Sequence, residues 1–179
     1  ARLQFPVTAD LLDMIEPVNG LVISLPDRRQ PVLNNILVRQ GDYFTDRRRN
    51  EVILNEHFAR AHQLLPGDSL HLLLNQRREE LFIVGTAISS EFTYLLGPGT
   101  FVPDPKHFGV FYVKQSFAEQ IFDFRGAANS IVGRLTPDAT GRVEEVLRGM
   151  ETKLEPFGVA TTTALEFQAS NQFLSSEIT

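Results

Sequence analysis

Hydrophobic and polar positions change their period repeatedly between Asn50 and Gly85, and each change marks an element. Val52-Ile53-Leu54 is a short continuous apolar run, the pattern of a covered strand. Asn55 follows, a side chain that accepts from helix-start N–H groups, and then Glu56, whose carboxylate the helix dipole favours, so a short helix begins there. Phe58, Ala61 and Leu65 recur at helical spacing until Pro66-Gly67 stops the helix and turns the chain into a strand over Leu70–Leu74. The polar interval Asn75–Glu79 separates that strand from Leu81–Val84, which predicts a hairpin with both faces largely covered. The stretch reads as a small β-rich core, with its residues committed to packing.

Upstream, Leu3, Phe5 and Val7 alternate with polar positions as a strand, and Pro6 marks an edge because it cannot donate to a ladder. Leu21–Leu25 and Ile36–Val38 are further strands, and Gly41-Asp42 is a turn. Leu11–Val18 has no assignable period, and Pro17 opposes a long helix there. Downstream, Thr86–Tyr94 is β-prone, and the Pro- and Gly-rich interval to Gly109 is a long loop with stiff corners. Val110–Val113 is a buried strand, Ser116 is expected to cap a brief helix through Phe117, Ile121 and Phe122, and Asn129–Leu135 returns to strand character. Thr136-Pro137 opens a helix reaching Glu155, with Ala139, Val143, Val146, Leu147, Met150 and Leu154 as its apolar stripe. With that stripe buried, Val146→Asp would cost several kcal/mol. Val159–Thr163 is a strand, and Leu165, Ala169, Phe173 and Ile178 form a last helical stripe. No fixed-period repeat is visible.

Composition narrows the class. With 179 residues, 42% of them hydrophobic, the chain can bury one core or two small lobes. No apolar run approaches the ~20 residues of a membrane helix. Ala1 is not a start methionine and the final segment is still in helical pattern at Thr179, so an excised fragment is expected. The absence of cysteine excludes disulfides and thiolate metal sites. A net charge of −5, with the basic residues mostly in scattered pairs, argues against nucleic acid; Arg47-Arg48-Arg49 is the longest basic run and reads as a solvated loop.

Catalytic chemistry finds no footing in the pattern. His57 and His62 lie five positions apart on one helix, off the one-turn spacing of a metal pair, so no metal ligands are assigned. Glu79-Glu80 and Glu144-Glu145 are solvating pairs, no Ser sits in a nucleophile elbow, and Pro98 removes a donor from the Gly97–Gly99 segment, so no phosphate loop and no cofactor are expected. The remaining candidate is the loop Glu91–Phe108, with Phe92, Tyr94, Leu95, Leu96, Phe101, Val102 and Phe108 among prolines and glycines. A loop so apolar either folds back over its own hairpin or docks a partner protein.

NILVRQGDYF at Asn35–Phe44, NEVILNEHFARAHQLLPGDSLHLLL from Asn50, EELFIVGTA from Glu79 and GVFYVKQSF from Gly109 follow one another in an order that resembles the extracytoplasmic core domain of MacB-like and FtsX-like ABC-transporter permeases, which include lipoprotein-releasing subunits. The resemblance implies an α+β fold: a porter-like α/β lobe from both chain ends (1–32 and 124–179) and an inserted β-rich, sabre-like lobe (33–123). It further implies a non-catalytic periplasmic domain without cofactors, dimerising with a second permease copy. Its partners would be an ATP-binding subunit reached through membrane helices, and a periplasmic adaptor or lipoprotein carrier. The helix, Pro-Gly-Asp and hairpin order also resembles half of a double-psi barrel, as found in substrate-recognition domains, although no second copy is visible in the sequence.

Overall fold

The computed structural model describes residues 1–11, 14, 16–100, 102–158, 161–168, 170–172 and 175. The chain divides into two compact units, Ala1–Val132 and Gly133–Thr179. The first is α+β and carries, in chain order, β1 (Gln4–Asp10), β2 (Val18–Leu25), β3 (Ile36–Gly41), β4 (Glu51–Asn55), α1 (Glu56–Ala61), β5 (Ser69–Leu74), β6 (Arg77–Ser89), β7 (Phe108–Lys114) and α2 (Gln115–Phe122).

The strand order is β3-β6-β4-β7-β2-β1-β5, and β5 pairs again with β6, so six strands close into a mixed barrel with β3 attached outside the ring. The length of β6 makes closure possible. Its first half pairs with β5 from Arg77 to Phe82, and its second half pairs with β4 in parallel and with β3 antiparallel. Phe82 is the crossover, opposite Ser69 on one side and Glu51 on the other. A closed ring removes the unpaired sheet edges that invite association.

Exchanging β1, β2, β4 and α1 for β5, β6, β7 and α2 maps this ring onto itself. The hairpins β1–β2 and β5–β6 interchange, as do the parallel pairs β2–β7 and β6–β4. The ring is thus a topological duplicate without a sequence repeat: pairing partners and pairing sense recur while side chains diverge.

Strands assigned to different lobes in the sequence share this barrel, since β1 and β2 pair with β5 and β7. The Pro6 signal operates locally, because β5 meets β1 only from Thr8 to Asp10 and leaves Pro6 with a neighbour on the β2 side alone. Most of the interval Asn75–Glu79 belongs to strand: the turn is only Asn75-Gln76, both at positive φ (47° and 64°), a tight hairpin turn made without the glycine that usually announces one. Ser116 does not cap α2. The N-cap position is Lys114, and the Ser116 N–H and hydroxyl both donate to Asp27, the N–H at 3.0 Å. Instead of a strand over Asn129–Leu135, a single bridge joins Ser130 to Arg2.

Pro66-Gly67-Asp68 fastens the α1–β5 turn to the barrel. Gly67, at φ 105°, donates to Ile83 O at 2.8 Å, Ile83 N donates back to Asp68 O at 2.9 Å, and the Asp68 carboxylate accepts from Leu65 N at 2.8 Å. A second glycine device lies on the parallel pair β2–β7, where Gly20 is opposite Gly109. Phe111 fills the space beside both, edge-on to the fully buried Phe58 of α1 at 5.1 Å between centroids, with the His62 ring against Phe58 at 4.5 Å.

In the second unit the expected Pro137–Glu155 helix divides into a 3-10 segment Pro137–Arg142, helix α3 (Val143–Leu154) and a 3-10 turn Glu155–Phe157. Gly141, a poor helix residue, lies just before the division. Val143, Val146, Leu147, Met150 and Leu154 are its half-buried positions, and no α3 residue is fully buried, so the cost of Val146→Asp falls to about 1 kcal/mol. Of the last two expected elements, Thr161–Thr163 is irregular and Leu165–Phe167 is a 3-10 turn; Val159, Ala160, Ala169, Phe173 and Ile178 lie outside the described residues.

A methyl group at Gly109 would stand 2.7 Å from Phe111 and 2.8 Å from Phe58. Gly109→Ala is therefore expected to destabilise the first unit by about 1–3 kcal/mol in denaturant melts, with part of the loss recovered by Phe58→Leu in the same chain. An unchanged midpoint would show that the two rings do not depend on the glycine gap.

Candidate functional site

The loop from Glu91 to Phe108 is held at both ends. At its start, Ser89 accepts from Glu91 N at 3.2 Å, and the Glu91 carboxylate is gripped by both Arg2 guanidinium nitrogens at 2.5 and 2.7 Å. Arg2 also reaches Gln4 Oε1 at 3.0 Å and Ser130 Oγ at 3.2 Å, and the Asn55 side chain donates to Phe92 O at 3.3 Å. At its end, Asp104 organises a turn: Asp104 N donates to Leu95 O at 3.0 Å, Phe108 N to Asp104 O at 3.0 Å, and His107 Nδ1 lies 2.8 Å from the carboxylate. His62 Nε2 donates to Lys106 O at 3.0 Å and fixes that turn to α1.

Within this frame the candidate side chains separate. Leu95 and Phe108 belong to the core, Phe92 packs against it partly buried, and Tyr94 and Leu96 are half-buried. Val102 is 71% exposed, and Phe101 lies outside the described residues. The loop covers its own barrel through Phe92, Leu95 and Phe108, and what it offers outward is its tip.

Pattern alone did not disclose a second arrangement beside β7. Lys114, the last residue of that strand, is buried, and its ammonium lies 3.1 Å from the Glu51 carboxylate while donating to the carbonyls of Thr45 and Arg48. Glu51 accepts in turn from Thr45 N at 2.7 Å and from the Thr45 hydroxyl. The pair therefore holds the segment 45–50, which carries Arg47, Arg48 and Arg49, from beneath. Burial alone would raise the Glu51 pKa, but the Thr45 hydrogen bonds and the Lys114 charge outweigh it and hold the carboxyl below its ordinary value of 4.5. The one sequence signal was the position of both charges, each closing the end of an apolar strand run.

The neighbouring connector Pro26–Pro31 joins the same surface. Tyr43 donates its hydroxyl to Pro26 O at 2.7 Å and its pKa is pushed up to about 12 by burial, despite the nearby Arg29 guanidinium. Arg28 lies 3.5 Å from Asp46, and Arg29 stands over the Tyr43 ring at 5.5 Å. Pro26, Asp27, Arg28, Gln30, Gln115, Ser116 and Glu119 line an open depression of about 310 Å³. On β7 the Tyr112 hydroxyl is buried with Ser89 as a polar neighbour short of full hydrogen-bond geometry, and burial pushes its pKa up strongly.

The histidines do not converge: His57 is exposed on α1, His62 is committed to Lys106, His71 lies on β5, and His107 pairs with Asp104. Among the described residues no group of His, Cys, Asp or Glu is placed to hold a metal ion. No described helix is long and apolar enough to cross a membrane. No family model matches the chain, and no curated protein matches it significantly.

Because the folded pKa of Glu51 is depressed, its ionisation stabilises the fold above the ordinary carboxylate range, and that contribution is lost as pH falls through the folded value. Glu51→Gln should flatten the acid limb of a stability–pH curve. Lys114→Met, which leaves the carboxylate buried without its cation, should cost about 3–5 kcal/mol at neutral pH. A wild-type acid limb in Glu51→Gln would show that the pair does not govern it.

Proposed function

We propose that this chain is a non-catalytic extracytoplasmic domain of an ABC-transporter permease, which transmits the cycle of a cytoplasmic ATPase to a substrate or partner protein outside the membrane. One observation carries the reading. The four segments on which the family resemblance rests become β3, β4-α1-β5, β6 and β7-α2, and β3, β6, β4 and β7 are consecutive neighbours in the sheet. The adjacency of these segments in one sheet supports the reading.

In this reading the barrel, which also takes in β1 and β2 from the first 32 residues, is the β-rich lobe, and the second unit belongs to the porter-like lobe. The domain sits between two membrane helices, works beside a second permease copy, and meets a periplasmic adaptor or lipoprotein carrier at the tip of the Glu91–Phe108 loop. That loop suits transmission, because Arg2 ties its first residues to the segment entering β1 and to Ser130. Load on either segment reaches Glu91 directly.

A second reading, a double-psi-barrel-like substrate-recognition domain of a soluble protein, is favoured by the exchange symmetry of the ring. Its two parallel pairs, β2–β7 and β6–β4, are related halves of one barrel.

The two readings part at the flanks of the gene. The permease reading requires an apolar run of about 20 residues on each side; polar flanks would leave the soluble reading. Within the transporter, Val102→Glu at the exposed tip should impair transport and leave the domain's melting temperature unchanged, whereas Leu95→Ala in the core should cost about 2–5 kcal/mol of stability. Full transport by Val102→Glu would remove the tip as a docking site.

A further inference from the structure

The buried Lys114–Glu51 pair poses a physical question. Placing two charges out of water is expensive and rarely improves stability over apolar residues. Here the pair joins the facing ends of β4 and β7, which the strand ladder already holds together, and its hydrogen bonds also fix the backbone of an exposed turn at Thr45 and Arg48. Such an anchor makes sense if the shape of that turn matters for what it presents.

What it presents is positive charge. The Pro26–Pro31 connector and the segment 45–50 together carry Arg28, Arg29, Arg47, Arg48 and Arg49 against Asp27 and Asp46, in a chain with a net charge of −5. Both aspartates are engaged, Asp27 by Ser116 and Asp46 by Arg28. All five arginines are exposed. Arg48 is stacked on Phe82 at 3.7 Å, Arg49 is steadied by Gln120 at 3.0 Å, and the Arg28–Asp46 contact joins the two loops. Arg28-Arg29 and Arg47–Arg49, far apart along the chain, are brought together in the fold by the Arg28–Asp46 contact.

Strand register gives that surface a direction. β2 ends at Leu25 beside Lys114 of β7, β4 starts at Glu51 beside the same end of β7, and β1 starts at Gln4 opposite Ile23. The arginine loops therefore lie at the barrel end where the chain enters β1. In the permease reading, on which this orientation rests, that end faces the bilayer. We infer that the loops 26–31 and 45–50 form a preorganised arginine surface that docks on the phosphate headgroups of an anionic phospholipid bilayer. Guanidinium forks match phosphate oxygens two at a time. Leu33, exposed two residues beyond Pro31, adds an apolar contact that an interfacial layer would cover and a soluble phosphate would not.

The test is sedimentation of the 179-residue chain with vesicles. Binding is expected to vesicles containing phosphatidylglycerol and not to pure phosphatidylcholine, and it should fall steeply as salt is raised. Arg29→Gln/Arg47→Gln/Arg49→Gln, which spares the paired Arg28 and the stacked Arg48, should weaken binding about a hundredfold. The charge-matched control Arg134→Gln/Arg142→Gln/Arg148→Gln should bind as wild type. Equal binding by the two triple variants, or binding indifferent to lipid charge, would overturn the surface. No vesicle binding with capture by polyglutamate or by inorganic tripolyphosphate would overturn it too, and would assign the arginines to an acidic protein or a soluble phosphate compound. Failure here with apolar gene flanks leaves the permease reading standing, and polar flanks with vesicle binding intact leave this surface standing without it.

Discussion

Ring closure through β6 is the constraint from which the other features follow. One strand must satisfy partners along its whole length, β5 with its first half and β4 and β3 with its second, and it changes sides at Phe82. The tight Asn75-Gln76 turn sets the register of the first half, and the Gly67–Ile83–Asp68 hydrogen bonds fasten the turn that follows α1 onto the middle. Once the ring is closed, β4 and β7 have neighbours on both sides, and they are buried at every position.

Burial at every position explains why polar residues there are so particular. Asn55 ends β4 fully buried because it caps α1 with one side-chain atom and holds Phe92 O with the other. Glu51 and Lys114 sit at facing ends of β4 and β7 and turn inward charge into a clamp on an outer loop. Arg2 and Glu91 do the same for the Pro/Gly loop. In each case a side chain at the rim of the ring fixes an exposed segment, so the outward geometry of this barrel is set by its rim.

Much of this was legible in the sequence and some was not, for definite reasons. Continuous runs such as Val52–Leu54 and Val110–Val113 announced buried strands, and Asn55 announced the start of α1, because these signals act through local backbone chemistry; α1 ends at Ala61, with Gln63 at φ 55°, before Leu65 and the Pro66-Gly67 stop. Asn129–Leu135 misled because strand-prone residues with a single bridge, Ser130 to Arg2, make no ladder. The exchange symmetry was invisible, since strand pairing constrains topology and burial rather than residue identity. The site split likewise: the apolar loop was flagged, but whether Leu95 points inward and Val102 outward depends on the Asp104 turn, and the convergence of Arg28-Arg29 with Arg47–Arg49 depends on the ring bringing distant loops together.

Native-state amide hydrogen exchange tests closure most directly, because it asks whether β1 and β2 belong to the same cooperative unit as β4 to β7. If the ring holds the molecule, the slowest amides of Val22, Leu54, Leu72, Ile83 and Phe111 will exchange with one common opening free energy. Release of β1 and β2 at a markedly lower free energy, with β4 to β7 still protected, would contradict closure and restore a division into separately folded lobes.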